Sequence, residues 1–164
     1  MLCLEAKQKG MTIIMKFELT WDPEMIAFYK HGSTVEYKKE GVCFENKMLP
    51  PGATIAQWIS NPHYQGTRGW LELPLLERGK SYQVKLEARS TPQSSPLLKV
   101  TFYNRSEEDV GMTLITTHKD HFTYPNSAYS YRLTLLNNGI EVLHFRKITL
   151  QSYEEGGESV DGRA

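Results

Sequence analysis

The chain has 164 residues, of which 40% are hydrophobic and 23% charged, and its 19 basic and 19 acidic side chains give a formal net charge of zero. A chain of this length fits one domain and is long enough to bury a core. The balanced charge excludes a global field that would recruit nucleic acid or an acidic membrane surface.

The start of the chain and its cysteines indicate the cellular compartment in which the protein is expected. Residues 1–11 carry charged side chains where a signal peptide needs an unbroken apolar stretch, and no window is long and apolar enough for a membrane-spanning helix. The two cysteines, Cys3 and Cys43, do not provide a disulfide framework, as is typical of a reducing compartment. We therefore expect a cytoplasmic protein with a frayed extension over residues 1–14.

Apolar and polar side chains alternate with a period of two along most of the chain. In residues 81–90, Tyr82, Val84, Leu86 and Ala88 alternate with polar residues, which predicts a strand with one buried face. Strands are predicted near residues 15–21, 33–37, 42–45, 54–59, 69–73, 81–90, 98–103, 112–117, 129–136 and 140–150. This spacing predicts an all-β fold, an antiparallel β-sandwich or jelly roll, over residues 15–152.

Turn residues separate these strands. Asn137-Asn138-Gly139 lies between two predicted strands, and Asn-Gly favours the positive φ angles of a tight hairpin turn. Residues 153–164 are rich in glycine and acids and poor in apolar side chains, so we expect a disordered tail there.

Residues that carry chemistry are few. No Gly-x-Ser-x-Gly motif is present, and Cys43 lies in the middle of a predicted strand, where a small buried hydrophobe is the expected role. His118 and His121 form one pair beside Asp120, whereas a zinc site needs three or four ligands, so solvated loop histidines are the alternative to a metal site. The sequence predicts no catalytic residue, no cofactor and no metal.

The segment from Trp58 to Trp70 combines aromatic, basic and amide side chains between two predicted strands. Trp58, His63, Tyr64, Arg68 and Trp70 offer stacking faces and charged donors, as protein hot spots and sugar sites both require. Three readings stay open: core tryptophans capping the sandwich, a protein interface, or a sugar contact. We take these five residues as a candidate recognition surface, with Trp58 and Trp70, in the flanking strands, the more suited to the core.

Large apolar side chains also occur at predicted turns or on predicted polar faces. They are Trp21, Phe28, Tyr29, Tyr103, Tyr124 and Leu136. Exposed apolar patches mark interfaces, so these residues predict a subunit that depends on a partner protein.

Several short motifs, in order along the chain, resemble a known family. They lie at residues 28–33, 42–46, 48–52, 58–64, 73–76, 79–82, 99–103, 122–125 and 128–131. In this order the chain resembles the third and smallest accessory secretory protein of the accessory Sec system of Gram-positive bacteria. The resemblance covers roughly residues 17–150.

The resemblance implies a function. Members have a fold similar to carbohydrate-binding modules and no known catalytic activity. They assemble with accessory secretory proteins one and two, and the complex brings glycosylated serine-rich-repeat adhesins to a dedicated SecA ATPase and SecY channel. Contact with the cell membrane is then expected only at its inner face, peripherally and through the complex. The alternative is a free-standing lectin-like domain.

Overall fold

Ten β-strands make up the regular structure of the described residues. The computed structural model of the chain describes residues 11–22, 28–60, 73–91, 97–116 and 118–155, and none of these lies in a helix. The strands are β1 (Met11–Leu19), β2 (Thr34–Lys38), β3 (Gly41–Glu45), β4 (Thr54–Ile59), β5 (Ser81–Thr91), β6 (Leu97–Tyr103), β7 (Asp109–Ile115), β8 (His121–Thr123), β9 (Ser130–Leu136) and β10 (Val142–Glu155). All pair antiparallel, so the predicted all-β class is confirmed.

The strands form two sheets. Sheet A has the order β2-β3-β10-β5-β8, with β1 also paired to β10, and sheet B has the order β4-β9-β6-β7. Strand β10 is the centre of sheet A, because β5 pairs with one of its edges while β3 and β1 pair with successive halves of the other.

The core lies between the two sheets. Alternate side chains of each strand point inward, as the period-two pattern predicts, and the buried hydrophobic residues of both sheets form one cluster. Aromatic rings join the sheets at two places: Trp58 of sheet B stacks on Phe145 of sheet A at 5.6 Å, and Phe102 lies 5.7 Å from Phe122. The molecule is therefore a β-sandwich.

The structure extends past the expected limits of the domain at both ends. Strand β1 begins at Met11, within the stretch expected to be frayed, and pairs there with Glu155, within the expected tail. The sheet thus reaches beyond the expected bounds of 15 and 152. The predicted strand at 69–73 lies outside the described residues except for Leu73, which is buried but not in a strand.

The prediction of a hairpin at Asn137-Asn138-Gly139 is wrong. Strand β9 belongs to sheet B and β10 to sheet A, so this segment crosses between the sheets. Gly139 has the positive φ of +81° that the Asn-Gly pair favours. Asn137 anchors the crossing, because its backbone N–H donates to the carbonyl oxygen of Ala53 at 2.8 Å and its carbonyl oxygen accepts from the N–H of Gly52 at 2.8 Å.

Gly41, at the start of β3, lies against the backbone of β10. Its φ is +150°, and a Cβ added there would overlap the carbonyl oxygen of Phe145, where the register of β10 shifts. We expect Gly41→Ala to lower the free energy of unfolding by about 1–3 kcal/mol, because neither backbone can yield without disturbing the β3–β10 ladder. Urea denaturation of both proteins measures this difference.

Gly52→Ala is the matched control for this prediction. Gly52 also has a positive φ, of +90°, but an added Cβ would meet nothing within 4 Å. Its substitution therefore carries backbone strain without overlap. Equal losses in the two variants would show that the close approach at Gly41 contributes nothing.

Candidate functional site

Of the five candidate residues in the predicted recognition segment, only Trp58 lies among the described residues. Trp58 is 2% exposed, stacks on Phe145, and donates from Nε1 to the carbonyl oxygen of Thr20 at 3.4 Å. This tryptophan belongs to the core, so it is withdrawn from the candidate surface, in agreement with the expectation for a flanking strand. The other members of that surface, His63, Tyr64, Arg68 and Trp70, lie outside the described residues.

The predicted exposed aromatics divide in the structure. Trp21 and Tyr124 are both 3% exposed, and that part of the prediction is wrong. Each follows the last residues of a strand, where alternation no longer fixes the direction of a side chain, and each turns into the core. Tyr29 is exposed as predicted, and the remaining three, Phe28, Tyr103 and Leu136, are half-buried.

Histidines 118 and 121 lie at the surface beside Asp120. The Nδ1 atom of His121 is 2.6 Å from one carboxylate oxygen of Asp120, whose other oxygen accepts from Nε2 of Gln83 at 3.0 Å. Gln83 in turn accepts from Gln151, so Asp120 ends a polar network that joins β8, β5 and β10. Within the described ranges, no three potential metal ligands come together.

Cys43 is not the buried hydrophobe that its position in the sequence suggested. It is half-exposed on the outer face of sheet A, where its register partners are Glu36 on one side and His144 on the other. In this part of the structure no hydrogen bond joins the thiol to either side chain. Cys43 therefore lacks the hydrogen-bonded base that an activated nucleophile requires.

Tyr124 and Tyr131 are buried in the core. Burial raises the pKa of Tyr124 to about 12 and raises the pKa of Tyr131 above its ordinary value. Both hydroxyls therefore stay protonated at neutral pH. That of Tyr131 donates to the carbonyl oxygen of Pro74 at 2.6 Å.

The outer faces of both sheets mix charged and apolar side chains. On sheet A, oppositely charged side chains lie close together: Lys147 is 2.7 Å from Glu18, Lys38 is 3.8 Å from Glu36, and Arg146 is 3.9 Å from Glu87. The outer face of sheet B has six apolar or aromatic members and five polar ones, and two of the polar members, Thr101 and Thr134, are buried. Its members are Gln57, Ile59, Leu97, Lys99, Thr101, Tyr103, Met112, Leu114, Arg132, Thr134 and Leu136.

Arg132 lies in the middle of the outer face of sheet B. Its register partners are Ile59 of β4 and Thr101 of β6, and its guanidinium carbon is 5.1 Å from the centre of the Tyr103 ring. The Nε atom is buried, and no described residue accepts a hydrogen bond from it. The sequence does not predict that Met112 and Leu114 are exposed, because both side chains are as apolar as the core residues of their strand.

The sequence matches the family described as the third accessory secretory protein of the accessory Sec secretory system, over residues 28–152. It is 38% identical over 128 residues to such a protein of Streptococcus gordonii, covering 77% of this chain and 80% of that one. A relative in Staphylococcus aureus is 26% identical over 134 residues, covering 82% of this chain and 42% of that one.

Solved structures give the same result. A chain in the crystal structure of accessory secretory proteins 1, 2 and 3 of Streptococcus pneumoniae has a TM-score of 0.74 and 33% identity, covering 82% of this chain and 94% of that one. A chain of the Glycosylation Associate Protein complex of Streptococcus agalactiae has the same TM-score and identity, covering 84% of this chain and 44% of that one. No helix in the described residues is long and apolar enough to cross a membrane.

Proposed function

The chain belongs to the family of the third accessory secretory protein of the accessory Sec system, and we propose that it acts as a non-catalytic subunit that binds accessory secretory proteins one and two. The observation that carries this proposal is the likeness to a chain in a structure of accessory secretory proteins 1, 2 and 3. That likeness spans 82% of this chain and 94% of the other.

The described site chemistry supports a binding role. The thiol of Cys43 has no hydrogen-bonded base, the buried tyrosines are held protonated, and the Asp120 network is satisfied by neighbouring strands. None of these groups, as described, forms a nucleophile with a base and an oxyanion site.

We place the protein in the cytoplasm, where the complex brings glycosylated serine-rich-repeat adhesins to the dedicated SecA ATPase and SecY channel at the inner face of the membrane. Its sandwich is proposed to be a jelly roll of the carbohydrate-binding-module type.

Co-expression tests the proposed function. The chain is produced alone and together with accessory secretory proteins one and two from the same genome, and each sample is run on a size-exclusion column with mass measurement. We expect a stable species containing this chain and at least one partner, and better solubility than that of the chain alone. A free-standing lectin would instead remain a monomer, ignore both partners and bind the adhesin glycopeptide by itself.

The remaining residues of the predicted recognition segment form a second part of the proposal. We expect His63→Ala, Tyr64→Ala and Arg68→Ala to weaken binding to a partner subunit or to adhesin glycopeptide by on the order of 2 kcal/mol, with little change in melting temperature. The sequence Asn61-Pro62 and Gly66 predicts a loop, where recognition side chains commonly lie. If all three variants bound every ligand with wild-type affinity, this segment, including Trp70, would have only a structural role.

A further inference from the structure

We propose that the free edge of β7 binds an extended segment of a partner subunit, which adds to sheet B as a further strand through the backbone of Met112 and Leu114. This inference rests on the proposed function, because it assigns a place on this chain to the partner that the function requires. Sheet B would then continue from β7 into the partner without a change in its own fold.

Strand β7 lies at the edge of sheet B, since it pairs with β6 and with no other described strand. In an antiparallel sheet the backbone N–H and C=O groups of successive residues point alternately to the two sides of the strand. Half of the backbone groups of β7 therefore point away from β6, to a side where no described strand pairs with them.

A hydrogen bond elsewhere in sheet B shows which way the backbone of each strand faces. The N–H of Ser60, directly after β4, donates to the carbonyl oxygen of Tyr131 at 2.9 Å, so the backbone of Tyr131 faces β4. By alternation Arg132 faces β6, and its register partner Thr101 faces back toward β9. The neighbouring residue of β6, Val100, therefore faces β7.

The same alternation places Met112 and Leu114 at the free edge. Val100 is the register partner of Thr113, so Thr113 faces β6 and the residues on either side of it, Met112 and Leu114, face away. Each of these two presents one N–H donor and one C=O acceptor, at the repeat of roughly 7 Å between alternate residues of a strand. An extended backbone offers complementary groups at the same repeat, so these groups favour a peptide segment over a sugar or an ion.

Other edges in the described part of the chain are protected, whereas this one is not. Sheets block their edges with charged side chains, proline, bulges, short strands or a covering segment. Strand β2 carries Glu36 and Lys38, β8 has only three residues, and β1 is interrupted by a register shift. Strand β4 is covered where the N–H of Tyr29 donates to the carbonyl oxygen of Ile55 at 2.8 Å. Over residues 111–115, β7 has no charge, no proline and no register shift.

The side chains at this edge favour an apolar segment. Met112 is 49% exposed and Leu114 39% exposed, and both lie on the outer face of β7, two residues apart. A strand added at this edge would place its own outward side chains beside them, and cross-strand apolar pairs are stabilising. We therefore expect apolar residues at the positions of the partner segment that meet Met112 and Leu114.

A second copy of this chain fits the edge less well. The N–H of Thr116 donates to the carbonyl oxygen of Lys119 at 2.9 Å, and the carbonyl oxygen of Thr116 accepts from the N–H of Lys119 at 3.2 Å. The turn at Lys119 therefore occupies the place beside Thr116. In the antiparallel register that pairs Met112 with Leu114 of a second copy, Val110 of that copy would meet this turn. A segment that leaves the edge after Leu114 avoids it.

Proline variants test this edge on the intact complex. Met112→Pro removes a donor that faces away from β6, so the β6–β7 ladder is kept, as edge positions allow. We expect it to weaken binding of a partner subunit at least about tenfold, with little change in melting temperature. Met112→Thr, which changes the side chain and keeps the N–H, should give a smaller loss. Thr113→Pro is the matched control, because it removes a donor that faces β6 and should lower the melting temperature instead.

Amide hydrogen exchange, read at single residues, gives a second measurement that needs no substitution. In the free chain the N–H groups of Met112 and Leu114 should exchange faster than that of Thr113, which pairs with β6. Binding of the partner subunit should slow exchange at Met112 and Leu114 at least about tenfold. Unchanged exchange at both residues would overturn the proposal, as would wild-type affinity of the folded Met112→Pro variant.

The outcomes also separate this inference from the proposed function. If the wild-type chain binds neither partner subunit, the proposed function fails and the assignment of the edge fails with it. If the wild-type chain binds and both measurements leave the edge unaffected, the function stands and this edge alone is wrong. Protection of the two amides in a homodimer would give the edge to a second copy, and protection by adhesin glycopeptide alone would give it to the adhesin; either result overturns the assignment.

Discussion

Replacing Trp58 by alanine is expected to lower the free energy of unfolding by about 3–5 kcal/mol, the usual cost of emptying a buried aromatic site. The indole fills the space between the sheets, with its ring 5.6 Å from that of Phe145 and almost parallel to it at 22°. Its removal opens a cavity beside the second ring and leaves the carbonyl oxygen of Thr20 without its donor. Urea or guanidinium denaturation of the isolated chain measures the loss.

Two variants control for this effect. Trp58→Phe keeps most of the ring contact with Phe145 and should retain a large part of the stability. Tyr37→Ala removes an aromatic side chain that is 42% exposed and should change the free energy of unfolding by much less. If Trp58→Ala unfolded at the same denaturant concentration as Tyr37→Ala, the indole would not be a core residue.

Asn137→Ala is expected to lower the free energy of unfolding by about 3 kcal/mol, although it removes no apolar surface. The buried side-chain amide donates from Nδ2 to the carbonyl oxygens of Leu49 at 2.8 Å and Pro50 at 3.1 Å, and its Oδ1 accepts from the N–H of Ile140 at 3.0 Å. Alanine leaves these three backbone groups without that partner, at about 1–3 kcal/mol for each buried group that finds no other. Thermal and denaturant unfolding report the change.

The control for Asn137 is an asparagine at the surface. Asn126→Ala should leave stability within about 0.5 kcal/mol of the wild-type value, because Asn126 is exposed. Asn137→Asp keeps the shape of the side chain but cannot donate to the two carbonyl oxygens when ionised. It should therefore be as damaging as alanine at neutral pH, and full stability of Asn137→Asp would contradict the assigned hydrogen bonds.

The sequence predicts individual strands better than it predicts their partners. Alternation places Tyr82 and Val84 of β5 in the core, and the structure confirms both. The three-residue strand β8 is too short to show alternation and was missed. The Asn137–Gly139 turn has the expected backbone, yet turn chemistry specifies only local φ angles, and sheet assignment depends on which distant strands are already paired.

The surface chemistry of the site was harder to predict. Apolar residues occupy both faces of β7, where Leu114 points outward and Ile115 inward, so the sequence alone cannot tell which of the two is buried. The outward position of Cys43 follows from alternation in β3, because its neighbours Val42 and Phe44 are both buried. By contrast, the burial of Trp58 could be predicted from its position in a strand.

The central position of β10 has a consequence for synthesis on the ribosome. All strands of sheet B have been synthesised once the chain reaches Leu136. In contrast, β1, β3 and β5 pair with β10, which ends at Glu155. The emerging chain can thus pair β4, β6, β7 and β9 while β1, β3 and β5 still lack their pairing with β10, and such long-range pairing is slow. During that interval sheet A is incomplete, so we expect part of the core face of sheet B to be uncovered. The nascent protein therefore passes through a stage at which chaperones, or partners already in the cell, meet apolar surface that the finished fold conceals.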